Sequence, residues 1–216
     1  MKRTRKSFIV ATCLLTAFVL WTVAICFVNV RAIGPQGSSV GLADVNCFFH
    51  NLTGVNFDLY YITDWLGLVP IFVCIGFGIF GLVQWINRKS MRKVDYNVLV
   101  LGGFYIVTIA VYLFFEQVVI NYRPVLIDET LEASYPSSTT MLVMCVMPTA
   151  ITQFGSRIKN KLLRNIIVVS IIVFIVFMVI GRLISGVHWV TDIVGGVLLS
   201  AGLVIMYRSL ISLKTN

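Results

Sequence analysis

The chain has 216 residues, of which 58% are hydrophobic and only 12% are charged, and its formal net charge is +8. This composition is typical of integral membrane proteins and excludes an ordinary water-soluble domain. The positive charge does not indicate a nucleic-acid-binding protein, because it is concentrated on one side of the predicted membrane.

Six apolar stretches follow one another along the chain. Each is long enough, or nearly so, to cross a hydrocarbon core of ~30 Å, which needs ~20 helical residues. They are residues 8–30, 66–86, 98–115, 140–154, 166–184 and 190–207. The first exceeds the apolar core of a signal peptide, so we predict a retained helix. The sequence therefore predicts an all-α integral membrane protein, a single six-transmembrane-helix bundle that occupies residues 1–216.

The basic residues predict the orientation of this bundle. Fourteen of them precede the first stretch, follow the last, or lie between stretches two and three or four and five: Lys2, Arg3, Arg5, Lys6, Arg88, Lys89, Arg92, Lys93, Arg157, Lys159, Lys161, Arg164, Arg208 and Lys214. Only Arg31, Arg123 and Arg182 fall on the other side. Because cytoplasmic loops carry the excess of lysine and arginine, both termini are predicted to be cytoplasmic. This pattern favours a bacterial plasma membrane.

Three connecting segments then lie on the predicted outer side. The first, about 31–65, combines turn-forming residues with aromatic residues that suit a membrane interface, so it is consistent with a lid or with an interfacial anchor. The second, about 116–139, is acidic and contains an Arg-Pro pair. The third is the short turn at about 185–189.

Several polar residues of these outer segments are suited to binding phosphate. Arg123 and Arg182 present planar guanidinium groups that can hold two phosphate oxygens at once. Ser137, Ser138 and Thr139 directly precede the fourth apolar stretch, so they are predicted to lie at a helix N-terminus, which favours anions. Taken singly, such an arginine can instead reach for lipid headgroups, and such a serine can simply cap a helix. Their combination on one side favours a phosphate site.

A candidate nucleophile lies in the third outer segment. His188 and Asp192 are four residues apart, which places them on one helix face if the last helix begins near residue 188. A histidine can attack phosphorus, and a carboxylate can fix the tautomer of the imidazole and stabilise its charged form. The sequence therefore predicts phosphate chemistry on a membrane-borne substrate.

These residues resemble three sequence blocks of the type 2 phosphatidic acid phosphatase superfamily, the membrane relatives of vanadium haloperoxidases. That family carries a lysine ahead of Arg-Pro, a Pro-Ser-Gly-His block, and an arginine followed at fixed spacing by histidine and aspartate. The corresponding residues here are Arg123-Pro124, then Pro136-Ser137-Ser138-Thr139, then Arg182 with His188 and Asp192. The third block is the most specific of the three.

The resemblance implies a lipid phosphatase that requires neither a metal nor another cofactor. His188 would attack phosphorus to form a phosphohistidine, and Asp192 would orient it. Arg123, Arg182 and the groups at 137–139 would bind the phosphate oxygens. The implied partners are the bilayer and a lipid phosphomonoester or diphosphate at the outer leaflet: phosphatidate, phosphatidylglycerol phosphate or an isoprenoid diphosphate such as undecaprenyl diphosphate.

Two positions depart from the family pattern. The family lysine falls at Glu116, so an acid replaces a phosphate-binding cation. The family histidine that protonates the leaving alkoxide falls at Thr139, and general acid catalysis contributes ~10²–10⁴-fold to rate. A diphosphate substrate would be affected less, because its leaving phosphate is already a stable anion.

These departures leave alternatives open. Five residues of the outer segments are candidate substitutes for the missing acid: His50, Glu116, Asp128, Glu129 and Glu132. A second hypothesis is a catalytically impaired relative that binds lipid phosphates without turning them over. A small transporter is a third, which the sequence disfavours because the predicted spans hold essentially no ionisable residues near the bilayer midplane.

Overall fold

The computed structural model describes residues 2–214, with side chains from Thr4 onward, so the side chains of Lys2 and Arg3 lie outside the described residues. Within this range the chain forms eight α-helices: α1 (Lys2–Phe27), α2 (Ala43–Thr53), α3 (Phe57–Leu66), α4 (Leu68–Arg88), α5 (Tyr96–Gln117), α6 (Ser138–Arg157), α7 (Lys161–Ile184) and α8 (Val190–Ser212). A small antiparallel pair, β1 (Arg31–Ala32) and β2 (Ser39–Val40), precedes α2.

Five helical segments of the described chain are long and apolar enough to cross a membrane. They are α1 from Thr4, the continuous segment α3–α4, α5, α7 and α8. The protein is therefore a helical integral membrane protein. The predicted span 140–154 lies within α6, which has 20 residues but is not among these five.

The position of α6 explains why it can be less apolar. It packs against α4, α5, α7 and α8, and nine of its residues are buried. Polar side chains on it find partners inside the bundle: Oγ1 of Thr149 lies 3.2 Å from the hydroxyl of Tyr105, and Nε2 of Gln153 donates to the hydroxyl of Tyr207 at 2.5 Å. A helix that faces protein on several sides does not need the apolar surface that lipid contact demands.

The segment of about 31–65, which is predicted to lie on the outer side, contains regular secondary structure. It contains two helices, and α3 runs directly into α4, so the second span begins near residue 57 rather than at 66. The two helices meet at Gly67, where a Cβ would lie 2.8 Å from the carbonyl oxygen of Asp64 and 3.4 Å from Cγ2 of Thr139. This close approach places the end of α3 against the start of α6.

Helix α8 lies at the centre of the packing, with α1 and α6 as its main neighbours. Small residues allow the close contact. A Cβ at Gly202 would lie 2.8 Å from Leu15 of α1, and one at Gly196 would lie 3.2 Å from Cγ2 of Thr140 of α6. Small residues at helix interfaces are the usual basis of tight packing in membranes. The N-termini of α6 and α8 consequently lie next to each other, since the amide of Ser137 donates to the carbonyl oxygen of Asp192 at 3.1 Å.

Candidate active site

The imidazole of His188 lies in the turn between α7 and α8 and is 3% exposed. Its Nδ1 is 3.0 Å from Oγ of Ser134, whereas Nε2 is buried and hydrogen-bonds to none of the described residues. Burial first, and then the positive charges of Arg123 and Arg182, hold the pKa of His188 well below its usual range. The imidazole is therefore neutral at pH 7, as a nucleophile must be.

A serine, rather than a direct contact, connects His188 to Asp192. Oγ of Ser134 donates to Oδ2 of Asp192 at 2.5 Å, and no hydrogen bond joins the imidazole to this carboxylate in the described part of the chain. Because the hydroxyl has one proton and gives it to Asp192, it accepts from Nδ1–H of His188. This assignment leaves the lone pair of Nε2 available for attack on phosphorus.

The helix start explains why the expected direct contact is absent. Helix α8 begins at Val190, so His188 precedes the helix and does not share a helical face with Asp192. The carboxylate instead caps α8 by accepting from the amide of Trp189 at 3.0 Å. It also accepts from Nδ2 of Asn121 at 3.2 Å. A carboxylate with several donors is held rigidly, and it in turn orients Ser134.

Arg182, in the last turn of α7, is 1% exposed. Its Nη2 donates to Oγ1 of Thr139 at 2.7 Å and to Oδ1 of Asp64 at 3.1 Å. Nη1 makes longer contacts, of 3.4 Å, with the carbonyl oxygen of Tyr60 and Oγ1 of Thr63. Nε has no partner among the described residues. The arginine thus holds α3, α6 and α7 together and still carries a free buried donor.

Arg123 lies close to Arg182 because both guanidinium groups pack on one ring. Their Cζ atoms are 5.7 Å and 4.9 Å, respectively, from the ring centroid of Tyr60, within the range of cation–π attraction. Nε of Arg123 lies 3.1 Å from Oε2 of Glu132 without hydrogen-bond geometry, and Nη1 has no described partner. Buried donors without partners are costly, and an anion bound between the two arginines would remove that cost.

A hairpin brings Arg123 and Ser134 to the site. Its two arms pair Tyr122 with Ala133, and the amide of Ser134 donates to the carbonyl oxygen of Asn121 at 2.9 Å. The arms reverse at residues 128–129, both with positive φ. This pairing brings residues 121–123 and 132–134 together, and Ser134 at its end lies beside His188.

The three residues of the predicted anion site lie at the start of α6, but not all of their polar groups are free for a ligand. Ser137 is the residue before the helix, but its amide donates to Asp192 and is therefore not free for a ligand. Its Oγ is buried and lacks a partner among the described residues. Ser138 and Thr139 form the first turn, and the hydroxyl of Thr139 is engaged by Arg182.

The five residues considered as substitute acids have different surroundings. Glu132 pairs with Arg123, whereas Glu116, Asp128 and Glu129 are exposed. The ring of His50 packs against that of Trp189, with centroids 5.4 Å apart, and burial lowers the pKa of His50. Neither Arg182 nor Thr139 hydrogen-bonds to any of the five within the described chain.

Sequence reasoning missed five residues that shape the site: Tyr60, Thr63, Asp64, Asn121 and Ser134. The first three recur at helical spacing on α3, and the last two are each two residues away from Arg123 or Pro136. The fold of the hairpin brings Ser134 to His188 and Asn121 to Asp192. The docking of α3 on α7 brings the other three to Arg182. The spacing on α3 could have indicated these residues, since it places three polar or aromatic side chains on one helix face.

The turn that carries His188 is docked on the connection between α2 and α3. Gly186 has φ +67, and a Cβ there would lie 1.8 Å from the carbonyl oxygen of Gly54. The amide of Asn56 donates to the carbonyl oxygen of Ser185 at 2.9 Å. Only glycine fits at position 186, because both the backbone conformation and the space exclude a side chain.

The sequence and the fold are similar to known proteins. The profile of the PAP2 superfamily matches residues 97–215. The fold resembles the crystal structure of the first transmembrane PAP2 type phosphatidylglycerolphosphate phosphatase from Bacillus subtilis, with a TM-score of 0.60 and 18% sequence identity, over 94% of this chain and 96% of that chain. No curated protein matches the sequence.

Proposed function

Because this chain belongs to the PAP2 superfamily, we propose that it is a membrane lipid phosphatase that acts through a phosphohistidine intermediate. One observation carries the proposal. Nε2 of His188, Nε of Arg182, Nε and Nη1 of Arg123 and Oγ of Ser137 are all buried without hydrogen-bond partners in the described residues. These atoms supply one nucleophile and several donors, which is the set that transfer of a phosphoryl group requires.

In the proposed first step, Nε2 of His188 attacks phosphorus and the bond from phosphorus to the leaving oxygen breaks. Arg123 and Arg182 bind the remaining phosphate oxygens and stabilise the charge that develops on them. Asp192, acting through Ser134, stabilises the positive charge on the imidazole. Water then attacks the phosphohistidine and releases inorganic phosphate.

An apolar cavity supports a lipid as the substrate. It has a volume of about 490 Å³ and lies between α4, α5 and α6. Its lining is mainly aliphatic and aromatic, but Asp64, Ser138 and Thr139 form its polar end next to Arg182. A phosphate held by the arginines would therefore leave an attached hydrocarbon chain in apolar surroundings. Phosphatidate, phosphatidylglycerol phosphate and undecaprenyl diphosphate all have this form.

The proposed topology treats α6 as the sixth span, so both termini are cytoplasmic and the site opens to the outer side of a bacterial plasma membrane. The distribution of lysine and arginine supports it, because it follows the positive-inside rule. The buried position of α6 between four other helices also supports it.

The alternative is a relative that binds lipid phosphates but cannot release the leaving group. Thr139 favours it, since the hydroxyl at the position of the family acid is occupied by Arg182 and is itself a very weak acid. The two hypotheses differ in the expected effect of Thr139→His. A gain of about 10²-fold or more in turnover would identify the missing acid as the limiting defect.

The proposed function is tested by the release of phosphate from purified protein in detergent micelles. Phosphatidate, phosphatidylglycerol phosphate and undecaprenyl diphosphate are offered separately, with His188→Ala as the control protein. We expect at least one lipid to be hydrolysed by the unchanged protein and none by the variant. Binding of these lipids without release of phosphate from any of them would reject the phosphatase and leave the impaired relative.

Ser134→Ala is expected to lower kcat by about 10- to 100-fold, since loss of the partner of a buried polar group costs about 1–3 kcal/mol. The reason is that the imidazole loses the group that fixes its tautomer. Because Ser134 does not face the phosphate in this proposal, KM should change little. Steady-state kinetics on the preferred lipid measure both constants.

The matched control for this variant is Ser200→Ala, which removes another buried serine hydroxyl, one that donates to the carbonyl oxygen of Met141 on α6. It should leave kcat nearly unchanged. An equal loss in both variants would indicate a general effect on packing. An unchanged kcat in Ser134→Ala would show that the imidazole needs no connection to Asp192.

A further inference from the structure

We infer that Asp64 protonates the leaving oxygen of the lipid. The resemblance of the motifs assigns this task to a histidine, and Thr139 stands at the position of that histidine. A threonine hydroxyl is too weak an acid to perform it. The inference rests on the proposed phosphatase function and deepens it by naming the acid. It commits the enzyme to phosphomonoesters with an alkoxide leaving group in addition to diphosphates.

The position of Asp64 is the first argument. Its Oδ1 accepts from Nη2 of Arg182 at 3.1 Å, and the same nitrogen donates to Oγ1 of Thr139 at 2.7 Å. The carboxylate of Asp64 and the hydroxyl of Thr139 therefore accept hydrogen bonds from the same nitrogen and lie next to each other. Asp64 thus places an ionisable oxygen beside the position from which the family histidine would act.

The expected direction of the leaving group is the second argument. Nucleophile and leaving oxygen lie roughly in line across phosphorus in phosphoryl transfer. The leaving oxygen is the one bonded to the lipid, so it points towards the apolar cavity between α4, α5 and α6. Asp64 is the one carboxylate among the described residues that line this cavity, and its side chain is 54% exposed. The other outer acids do not line this cavity. Asp44 pairs with Arg31 and Glu132 with Arg123. Four more are exposed: Asp58, Glu116, Asp128 and Glu129.

The pairing with Arg182 sets the order of events. Phosphate oxygens compete with Asp64 for the guanidinium of Arg182 and are the better partners, because they bear more charge and match its planar fork. The released carboxylate then lies beside the bound phosphate. Its side chain is exposed, so it takes up from water the proton that it transfers in the chemical step.

In the proposed first step, one bond to phosphorus forms as another breaks. The lone pair of Nε2 of His188 forms the bond to phosphorus, and the electrons of the broken bond pass to the lipid oxygen. The carboxyl proton of Asp64 moves to this oxygen, so a neutral alcohol leaves. In the second step the carboxylate of Asp64 takes a proton from the attacking water, and the bond from phosphorus to nitrogen breaks as phosphate departs.

The test uses two substrates that share the same acyl chains but differ in leaving group. Phosphatidate requires protonation of an alkoxide, whereas diacylglycerol diphosphate releases a phosphate that is already a stable anion. For Asp64→Asn in detergent micelles we expect kcat on phosphatidate to fall by about 10²-fold, with a much smaller change on the diphosphate. Hydrolysis of the diphosphate also shows that the variant is folded.

Several outcomes would overturn the inference. An equal loss on both substrates would mean that Asp64 only positions Arg182, and no loss on either would exclude any catalytic role. Hydrolysis of the diphosphate alone by the unchanged protein would leave the phosphatase function intact and remove the need for an acid. Hydrolysis of neither substrate, nor of any other lipid phosphate, would reject the proposed function and the inference with it.

Two controls make the assignment specific. Asp58→Asn removes an exposed acid from the first turn of the same helix and should change neither rate. Thr139→His in the Asp64→Asn background supplies the family acid beside the lost carboxyl group. The double variant is expected to hydrolyse phosphatidate at least tenfold faster than Asp64→Asn alone. If the double variant is no faster than Asp64→Asn, loss of the proton donor is not the reason for the slow hydrolysis of phosphatidate.

Discussion

Replacing His188 with alanine is expected to lower the release of phosphate from the preferred lipid by at least about 10³-fold, the scale on which enzymes lose rate when their nucleophile is removed. The reason is structural as well as chemical. Nε2 of His188 is buried and has no hydrogen-bond partner in the described part of the chain, and the lowered pKa of the imidazole favours its neutral form. The measurement is the steady-state rate of phosphate release in detergent micelles, together with the yield of phosphoprotein after rapid quenching with labelled substrate.

The phosphoprotein separates a nucleophile from a general base. With the unchanged protein we expect a label that is stable in alkali and labile in acid, as a phosphoramidate is, and with His188→Ala we expect none. His50→Ala is the matched control, because it removes the other histidine of the chain and should retain both rate and label. If His188→Ala still forms the phosphoprotein, another side chain is the nucleophile and the proposed mechanism is wrong.

Arg182→Ala is expected to lower kcat/KM by about 10²–10³-fold, the usual cost of losing one donor that stabilises transition-state charge. Arg182 is 1% exposed, and its Nη2 contacts α3 and α6. Its Nε has no hydrogen-bond partner among the described residues and is the proposed phosphate donor. Arg182→Lys keeps the charge but loses the planar fork, so its activity should lie between those of alanine and arginine. Kinetics over a range of lipid concentrations give the ratio for each variant.

The control for this pair is Arg208→Ala. Arg208 lies near the opposite end of α8, where its Nε is 3.3 Å from Oγ1 of Thr152, far along the helix from the proposed site. It should retain nearly full kcat/KM. Equal activity of Arg182→Ala and the unchanged protein would mean that the buried guanidinium is structural and binds no phosphate.

Hydropathy predicts much of the helical framework. The apolar stretches 98–115, 166–184 and 190–207 fall within α5, α7 and α8, and the family resemblance drawn from the motifs is confirmed by the PAP2 match. The boundaries are less accurate. The first predicted stretch ends at residue 30, three residues after the end of α1 at Phe27, because the mostly apolar residues 28–30 follow the helix without continuing it. Hydropathy reports the need for apolar surroundings, whereas helix ends depend on backbone geometry.

The site was less predictable because its parts come from distant segments. The motifs name Arg123, Arg182 and His188, whose chemistry is visible in their residue types. Ser134 and Asp64 carry no such mark, since serines and aspartates are common in outer loops. They acquire their contacts only when the hairpin closes and α3 packs on α7. Spacing along the chain gives the residues of one helix face, but it does not give the contacts between helices.

The docking of Gly186 on Gly54 has a consequence for the modular organisation of the chain. The matched portion 97–215 contains every motif residue, yet the turn that carries His188 is positioned by backbone from residues 54–56. Residues 97–215 therefore do not position His188 by themselves. In a chimaera that takes only residues 97–215 from this chain, the partner sequence must supply backbone in the place of residues 54–56 for the turn to dock.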